Sequence, residues 1–246
     1  MLESIGEVLD RLPDVTDYNR RDAGDAEQAA AREAEQRQRE LERRKQLFFR
    51  CIGGRYWQAT LDNYEVIYPQ QRETLAALRT YGANLKAEVK DGRGILLFGT
   101  SGTGKDHLLI GLARQAIVAG CSLVWTNGMN LYAKMREAIA DGRDEDWVLQ
   151  RYMKEQVLVL SDPLPPSGPL TDYQAATMYR LIDHRYRNLL PVWCSLNVVD
   201  AKEARERLGA ATVDRLRDGA LAIECKWPSY RKAKSETGRP PKEAMG

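Results

Sequence analysis

One string, GILLFGTSGTGKDHLLIGLARQAI at residues 94–117, constrains the fold of this chain more than any other. Gly99, Gly104 and Lys105 satisfy the pattern G-x-x-x-x-G-K, with an apolar run before it and an amphipathic run after it. That context predicts a buried strand, a tight loop and a helix in succession. Glycines let the loop backbone wrap an anion with its N–H groups turned inward. The helix adds the positive end of its dipole, and a lysine at this spacing reaches the outer phosphates. The expected ligand is a nucleoside triphosphate; the competing reading is a glycine-rich turn with no ligand.

The residue after Lys105 departs from the pattern. A Ser or Thr there would offer its hydroxyl to Mg²⁺, and this chain has Asp106. A carboxylate is also a good hard-oxygen ligand for Mg²⁺, but without the metal it repels phosphate, and it could equally serve as a first-turn helix charge. A P-loop ATPase also needs a later strand ending in acids that hold Mg²⁺ and polarise water. The candidate is VLVLSDPLPP at 157–166, where the metal-holding Asp has become Ser161 and the following acid is Asp162. Two arrangements stay open. In one, Asp106 and Ser161 have exchanged places around the metal; in the other, Asp162 alone holds it and hydrolysis is weak or lost.

Apolar runs recur at 94–98, 122–126, 157–160, 191–195 and 221–225, with helical patterns between most of them. Near-continuous hydrophobic strands alternating with helices predict a parallel sheet covered on both faces. Upstream, Leu2, Ile5, Val8, Leu9 and Leu12 fall on one helical face ended by Pro13, and a polar linker is expected over 13–22. A charged helix follows over about 23–49, with Glu33–Arg37 and Glu35–Arg39 in the favourable i,i+4 order. The expected organisation is a helical arm at 1–50, a nucleotide-binding core at 51–233, and a disordered tail at 234–246.

Composition bears on partners. The chain has 246 residues with 37 basic against 35 acidic ones, a net charge of +2, which excludes a strongly basic nucleic-acid binder by bulk charge. Its apolar runs are too short to cross a bilayer, so no membrane partner is expected. With no secretory pattern visible at the N-terminus, the expectation is a cytoplasmic protein. Cys51, Cys121, Cys194 and Cys225 are widely spaced and form no zinc or disulfide pattern.

The strings GTSGTGKDHL, VLVLSD and ATVDRLRDGALAIECKWPSYR, together with IGGRYWQATLDNY at 52–64, resemble the AAA+ replicative helicase loaders of the DnaC type and the related transposition helper IstB. The likeness covers residues 50–233 and keeps the order of the motifs. It implies an α/β fold: an AAA+ P-loop NTPase core with a parallel five-stranded sheet between helices, preceded by a small helical N-terminal arm. It implies ATP and Mg²⁺ as cofactors, held by Gly99, Thr100, Ser101, Gly102, Thr103, Gly104, Lys105, Asp106 and His107. Asn63 and Tyr64 would lie at the adenine end, and His107 would pack rather than react. Asp106, Ser161 and Asp162 become the metal positions.

By the same resemblance Asn197 is the sensor that positions water, and Arg231 contacts the nucleotide from its own subunit. Arg215 is the arginine finger given in trans to a neighbour's ATP, with Arg217 its nearest competitor. The resemblance thus implies a homo-oligomer, a ring or open spiral, with a replicative helicase held by the N-terminal arm. Single-stranded DNA would meet residues 129–154, where Lys134, Arg136, Arg143, Arg151 and Lys154 lie beside Tyr132, Trp147 and Tyr152 as stacking candidates. Three functions compete on this reading: a helicase loader, an IstB-like transposition ATPase, and an adaptor that binds nucleotide without hydrolysing it.

Overall fold

The structure, a computed structural model, describes the backbone of residues 15–231 and side chains from residue 30 onward. The apolar stripe expected at 1–12 and the tail expected at 234–246 lie outside the described residues. The chain divides into two compact units between Arg43 and Arg44. The first helix, α1, runs Val15–Ile52 and so includes most of the expected linker. Residues 15–23 contain neither Pro nor Gly, so nothing in them breaks a helix that begins just after Pro13. In the first unit Arg37 and Arg39 pair with Glu33 and Glu35 at 3.2 and 2.5 Å. These exposed pairs are worth about 0.3–0.5 kcal/mol each.

In the second unit a 3₁₀ turn at Gly54–Tyr56 leads to α2 (Pro69–Ala83) and α3 (Leu85–Lys90). Strands and helices then alternate: β1 (Ile95–Gly99), α4 (Lys105–Val118), β2 (Leu123–Asn127), α5 (Gly128–Ala140) and α6 (Glu145–Lys154). They continue with β3 (Val157–Ser161), α7 (Asp172–Arg187), β4 (Val192–Asn197), α8 (Ala201–Leu208), α9 (Ala210–Arg217) and β5 (Leu221–Glu224). The five strands form one parallel sheet in the order β2-β3-β4-β1-β5.

Both faces of the central strands are buried, which is why they read as unbroken apolar runs. Leu96, Leu158, Leu160, Cys194 and Leu196 join a cluster with Leu131, Met135, Leu181 and Val213 from the helices on one side. The alternate residues Ile95, Leu97, Val157, Val159 and Trp193 are also wholly buried, and α4 packs on β2, β3 and β4. Strand period 2 therefore assigns Ser161, Ser195 and Asn197 to the α4 side. Register aligns Gly99 with Asn197 and Ser161 with Ser195, so these residues meet at the carboxyl edge of the sheet. That edge is where open α/β sheets place their ligands.

Arg185, 0% exposed, locks α7 to this core. Its guanidinium donates to the carbonyls of Tyr152, Glu155, Gln156 and Pro191 at 2.6–3.0 Å.

Candidate functional site

A cleft of about 260 Å³ opens over the loop between β1 and α4. Gly102 and Gly104 carry φ of 86° and 87°, a conformation that glycine adopts without strain and that turns the loop back on itself. Lys105 is 5% exposed and folds over the loop. It donates to the carbonyls of Gly99 and Thr100, both at 2.8 Å, and to Thr103 Oγ1 at 3.3 Å. Burial lowers the pKa of its ammonium, and the nearby carboxylates of Asp106 and Asp162 oppose that shift.

Asp106, in the first turn of α4, points at the strand ends. Ser161 donates its hydroxyl to Asp106 Oδ2 at 2.9 Å, and Ser195 donates to Oδ1 at 2.7 Å. Both oxygens of one carboxylate are thus engaged by hydroxyls from two adjacent strands. Two of the three side chains expected at the metal positions, Asp106 and Ser161, are thus in contact, with the carboxylate on the loop helix and the hydroxyl on the strand. Ser195 escaped the sequence reading. Its signal was available: it lies two residues before Asn197, on the same face of β4.

Asp162 sits immediately beyond β3 with φ of 38°, one of two non-glycine residues in the left-handed region among those described. Such a conformation costs about 1–3 kcal/mol and marks a position fixed by its surroundings. The Asp162 N–H donates to Ser195 O at 2.9 Å, while Asn197 Nδ2 donates to Asp162 Oδ2 at 2.5 Å. Burial raises the Asp162 pKa, the two hydrogen bonds from Asn197 lower it, Asp106 adds to the rise, and Lys105 opposes it. Asp162 and Asn197 therefore form one unit, a carboxylate held by an amide.

Beside the loop, Tyr64 and His107 both line the cleft and meet edge to face at 5.4 Å between ring centroids. His107 Nε2 lies 2.9 Å from Thr60 O and 3.0 Å from Asn63 Oδ1, two acceptors that assign the proton to this nitrogen. Burial lowers its pKa, so it ties the segment before α2 to α4 as a neutral ring. Ser101, Asn197 and Arg231 also line the cleft.

Arg215 is placed elsewhere. Its Nε donates to Asp183 Oδ1 at 2.7 Å, its Nη2 to the Tyr179 hydroxyl at 2.9 Å, and its guanidinium carbon lies 4.7 Å from the centre of the Tyr179 ring. It lines a separate hollow with Tyr186, Arg217 and Asp218.

A further groove, of about 590 Å³, lies along α5 and α6 and is lined by Lys134, Arg143, Trp147, Arg151 and Lys154. Trp147 is 68% exposed. Tyr132 and Tyr152 correct the sequence expectation: each is only 2% exposed, and the Tyr132 hydroxyl donates to Pro163 O. They pack the core and are not free to stack on bases.

Among the described residues no helix is long and apolar enough to cross a membrane, and no cluster of three or more His, Cys, Asp or Glu could hold a metal by itself. A Mg²⁺ that keeps waters and substrate phosphates needs only one or two carboxylates from the protein, and the oxygen donors of Asp106, Ser161 and Asp162 fit that requirement.

Comparison with known proteins bears on the family and the fold. The model of a family described as IstB-like ATP binding protein matches residues 30–238. No curated protein matches at the sequence level. Among solved structures, the DnaC helicase loader superposes with a TM-score of 0.61 at 25% identity, covering 70% of this chain and 99% of that one. DnaI superposes with a TM-score of 0.55 at 18% identity, covering 72% and 93%. AMPPCP-bound DnaA from Aquifex aeolicus superposes with a TM-score of 0.57 at 18% identity, covering 69% of this chain and 50% of the longer DnaA chain. The last two likenesses speak to the fold alone.

Proposed function

Because the chain belongs to the IstB-like ATP-binding family of AAA+ proteins, we propose that it is an ATP-dependent loader of a replicative helicase. In this reading it binds ATP with Mg²⁺ in the cleft over the phosphate loop and works as a homo-oligomer in the cytoplasm. The observation that carries it is the Asp106–Ser161–Ser195 cluster. It preserves a carboxylate–hydroxyl pair between loop and strand with the two partners exchanged, so the altered motif keeps its oxygen donors.

Lys105 and the loop amides bind the phosphates. Asp106, Ser161 and Asp162 would supply oxygen donors for the metal. The metal's contribution when bound is to neutralise charge on the transferred phosphoryl group. Asp162 orients and polarises the attacking water, and Asn197 holds the Asp162 carboxylate through its hydrogen bonds. Arg231 meets the nucleotide from its own subunit. Arg215, outside the cleft of its own subunit, serves the neighbour's site, where a guanidinium stabilises the developing charge. The residue 1–50 arm grips the helicase, the core at 51–233 senses ATP, and 234–246 is a tail. The α5–α6 groove contacts single-stranded DNA through Lys134, Arg143, Arg151 and Lys154, with Trp147 as its stacking ring.

The likeness to the DnaC helicase loader over 99% of that chain supports this reading. The family model supports a second one, an IstB-like transposition ATPase. Pull-down of a replicative helicase against a transposase from the same cell separates them: capture of the transposase alone refutes the loader. Turnover of ATP with and without single-stranded DNA decides against the hydrolysis-impaired adaptor if Mg²⁺-dependent hydrolysis is seen.

A further inference from the structure

The phosphate loop is held from outside by two parts of the chain that are remote in sequence. Trp227 donates its indole N–H to Thr103 O at 2.8 Å, and Tyr64 donates its hydroxyl to the same oxygen at 3.1 Å. The main-chain N–H of Tyr230 donates to Gly102 O at 2.9 Å. The contact is tight: a Cβ on Gly104 would stand 2.8 Å from the Tyr64 ring, and one on Gly102 would stand 2.0 Å from Ser229 Oγ. Trp227 and Tyr64 are 3% and 9% exposed, so water does not compete for the shared carbonyl.

In a planar trans peptide the C=O and the following N–H point to opposite sides. A Thr103 carbonyl drawn outward by two donors therefore turns the Gly104 N–H toward the phosphate side. The Gly102 carbonyl drawn by Tyr230 does the same for the Thr103 N–H. Neither amide has a protein acceptor among the described residues, as expected of donors kept for an anion.

We infer that Trp227 and Tyr64 are positioning residues for the nucleotide site, jointly holding the Thr103–Gly104 peptide with its N–H facing the phosphates. The inference rests on the reading that this loop binds ATP. Two donors on one oxygen make the device redundant: either alone keeps the peptide oriented, and loss of both frees it to rotate.

The test is calorimetric titration of the full chain with Mg-ATP, for wild type, Tyr64→Phe, Trp227→Phe and the double variant, with thermal melts of each. Each single variant is expected to weaken binding about threefold, the size of one modest hydrogen bond. The double variant is expected to lose about thirtyfold or more, beyond the product of the singles. In ¹⁵N-glycine spectra the Gly104 amide should shift strongly downfield on ATP addition in wild type and barely in the double variant. A wild type that does not bind ATP overturns both this inference and the reading beneath it. A wild type that binds, with single and double variants of equal affinity, overturns this inference alone. So does a loss that merely follows the melting temperature while the Gly104 shift is retained. Tyr64→Phe also unpairs Gln71 Nε2, which the melts will register. If Trp227→Phe does not fold, Tyr64→Phe alone decides: an affinity for Mg-ATP equal to that of wild type, with an unchanged melting temperature, refutes the device.

Discussion

Replacing Asp106 by Ala probes the exchanged metal site directly. Its carboxylate accepts from Ser161 and Ser195, which are 5% and 2% exposed. Removing it leaves two buried hydroxyls to find new partners, at a cost of about 1–3 kcal/mol of stability. The effect on ATP has two signs. Without Mg²⁺ the carboxylate sits against the phosphate loop and repels the ligand, so Asp106→Ala should bind ATP in EDTA at least as well as wild type. With Mg²⁺ the variant loses a charged partner for the ion, worth about 1.5–3 kcal/mol, or about 10- to 100-fold in affinity. The quantity to measure is the ratio of ATP dissociation constants in EDTA and in Mg²⁺, by calorimetry at fixed ionic strength. It should fall by at least tenfold in Asp106→Ala. The double variant Asp106→Ser/Ser161→Asp, which returns the carboxylate to the strand, should recover most of it. An Asp106→Ala ratio equal to that of wild type refutes the exchange and leaves Asp162 as the sole metal carboxylate.

Four further outcomes are expected. Asp162→Asn should abolish ATP turnover while raising the melting temperature at pH 7. The native carboxyl's pKa is raised by burial above its ordinary 3.8, so its contribution to stability is present below that value and is lost as pH rises through the raised one; melts from pH 3 to pH 7 should show the variant's advantage growing with pH. Arg215→Ala and Asp162→Asn should each be inactive alone, yet a mixture should regain turnover, because an Arg215→Ala subunit keeps its own site and borrows the finger of its neighbour; a mixture that stays inactive in co-assembled oligomers argues against a finger in trans. Arg185→Ala strands four carbonyls and should lower stability in chemical denaturation by about 1–3 kcal/mol for each one that finds no new donor. Trp147→Ala should weaken binding of a fluorescent single strand by about 1–3 kcal/mol without changing ATP affinity, and wild-type binding should fall steeply with salt.

The strands were legible because burial on both faces leaves only apolar residues at their centres, and all five apolar runs became strands. The phosphate loop was legible because its chemistry is compressed into seven consecutive residues. The rest of the site is assembled across the sheet, where one-dimensional spacing is silent. Ser195 reaches Asp106 from 89 positions away and Trp227 reaches Thr103 from 124. Aromatics on the helices misled for a related reason. Tyr132, Trp147 and Tyr152 are alike in a sequence, but only Trp147 falls on the outer face of its helix, and helical phase relative to the core decides which ring meets solvent. Arg215 could be read as a finger by resemblance but not matched to its intramolecular partner Asp183, which lies on a different helix.

The hydroxyl and carboxylate that face each other between Ser161 and Asp106 also constrain how such a sequence can arise. From the usual order, hydroxyl on the loop helix and carboxylate on the strand, a change at the first position alone places two carboxylates in contact. At about 3 Å and an effective dielectric near 20 their repulsion is roughly 5 kcal/mol, enough to threaten folding. A change at the second position alone leaves two hydroxyls and no charge for the ion. Either intermediate is handicapped, so the two positions form an epistatic pair that descends together once established. Ser195, donating to the second oxygen of the same carboxylate, extends that linkage to a third position, on β4. Close relatives that keep Asp106 should therefore keep small hydroxyl residues at both strand positions.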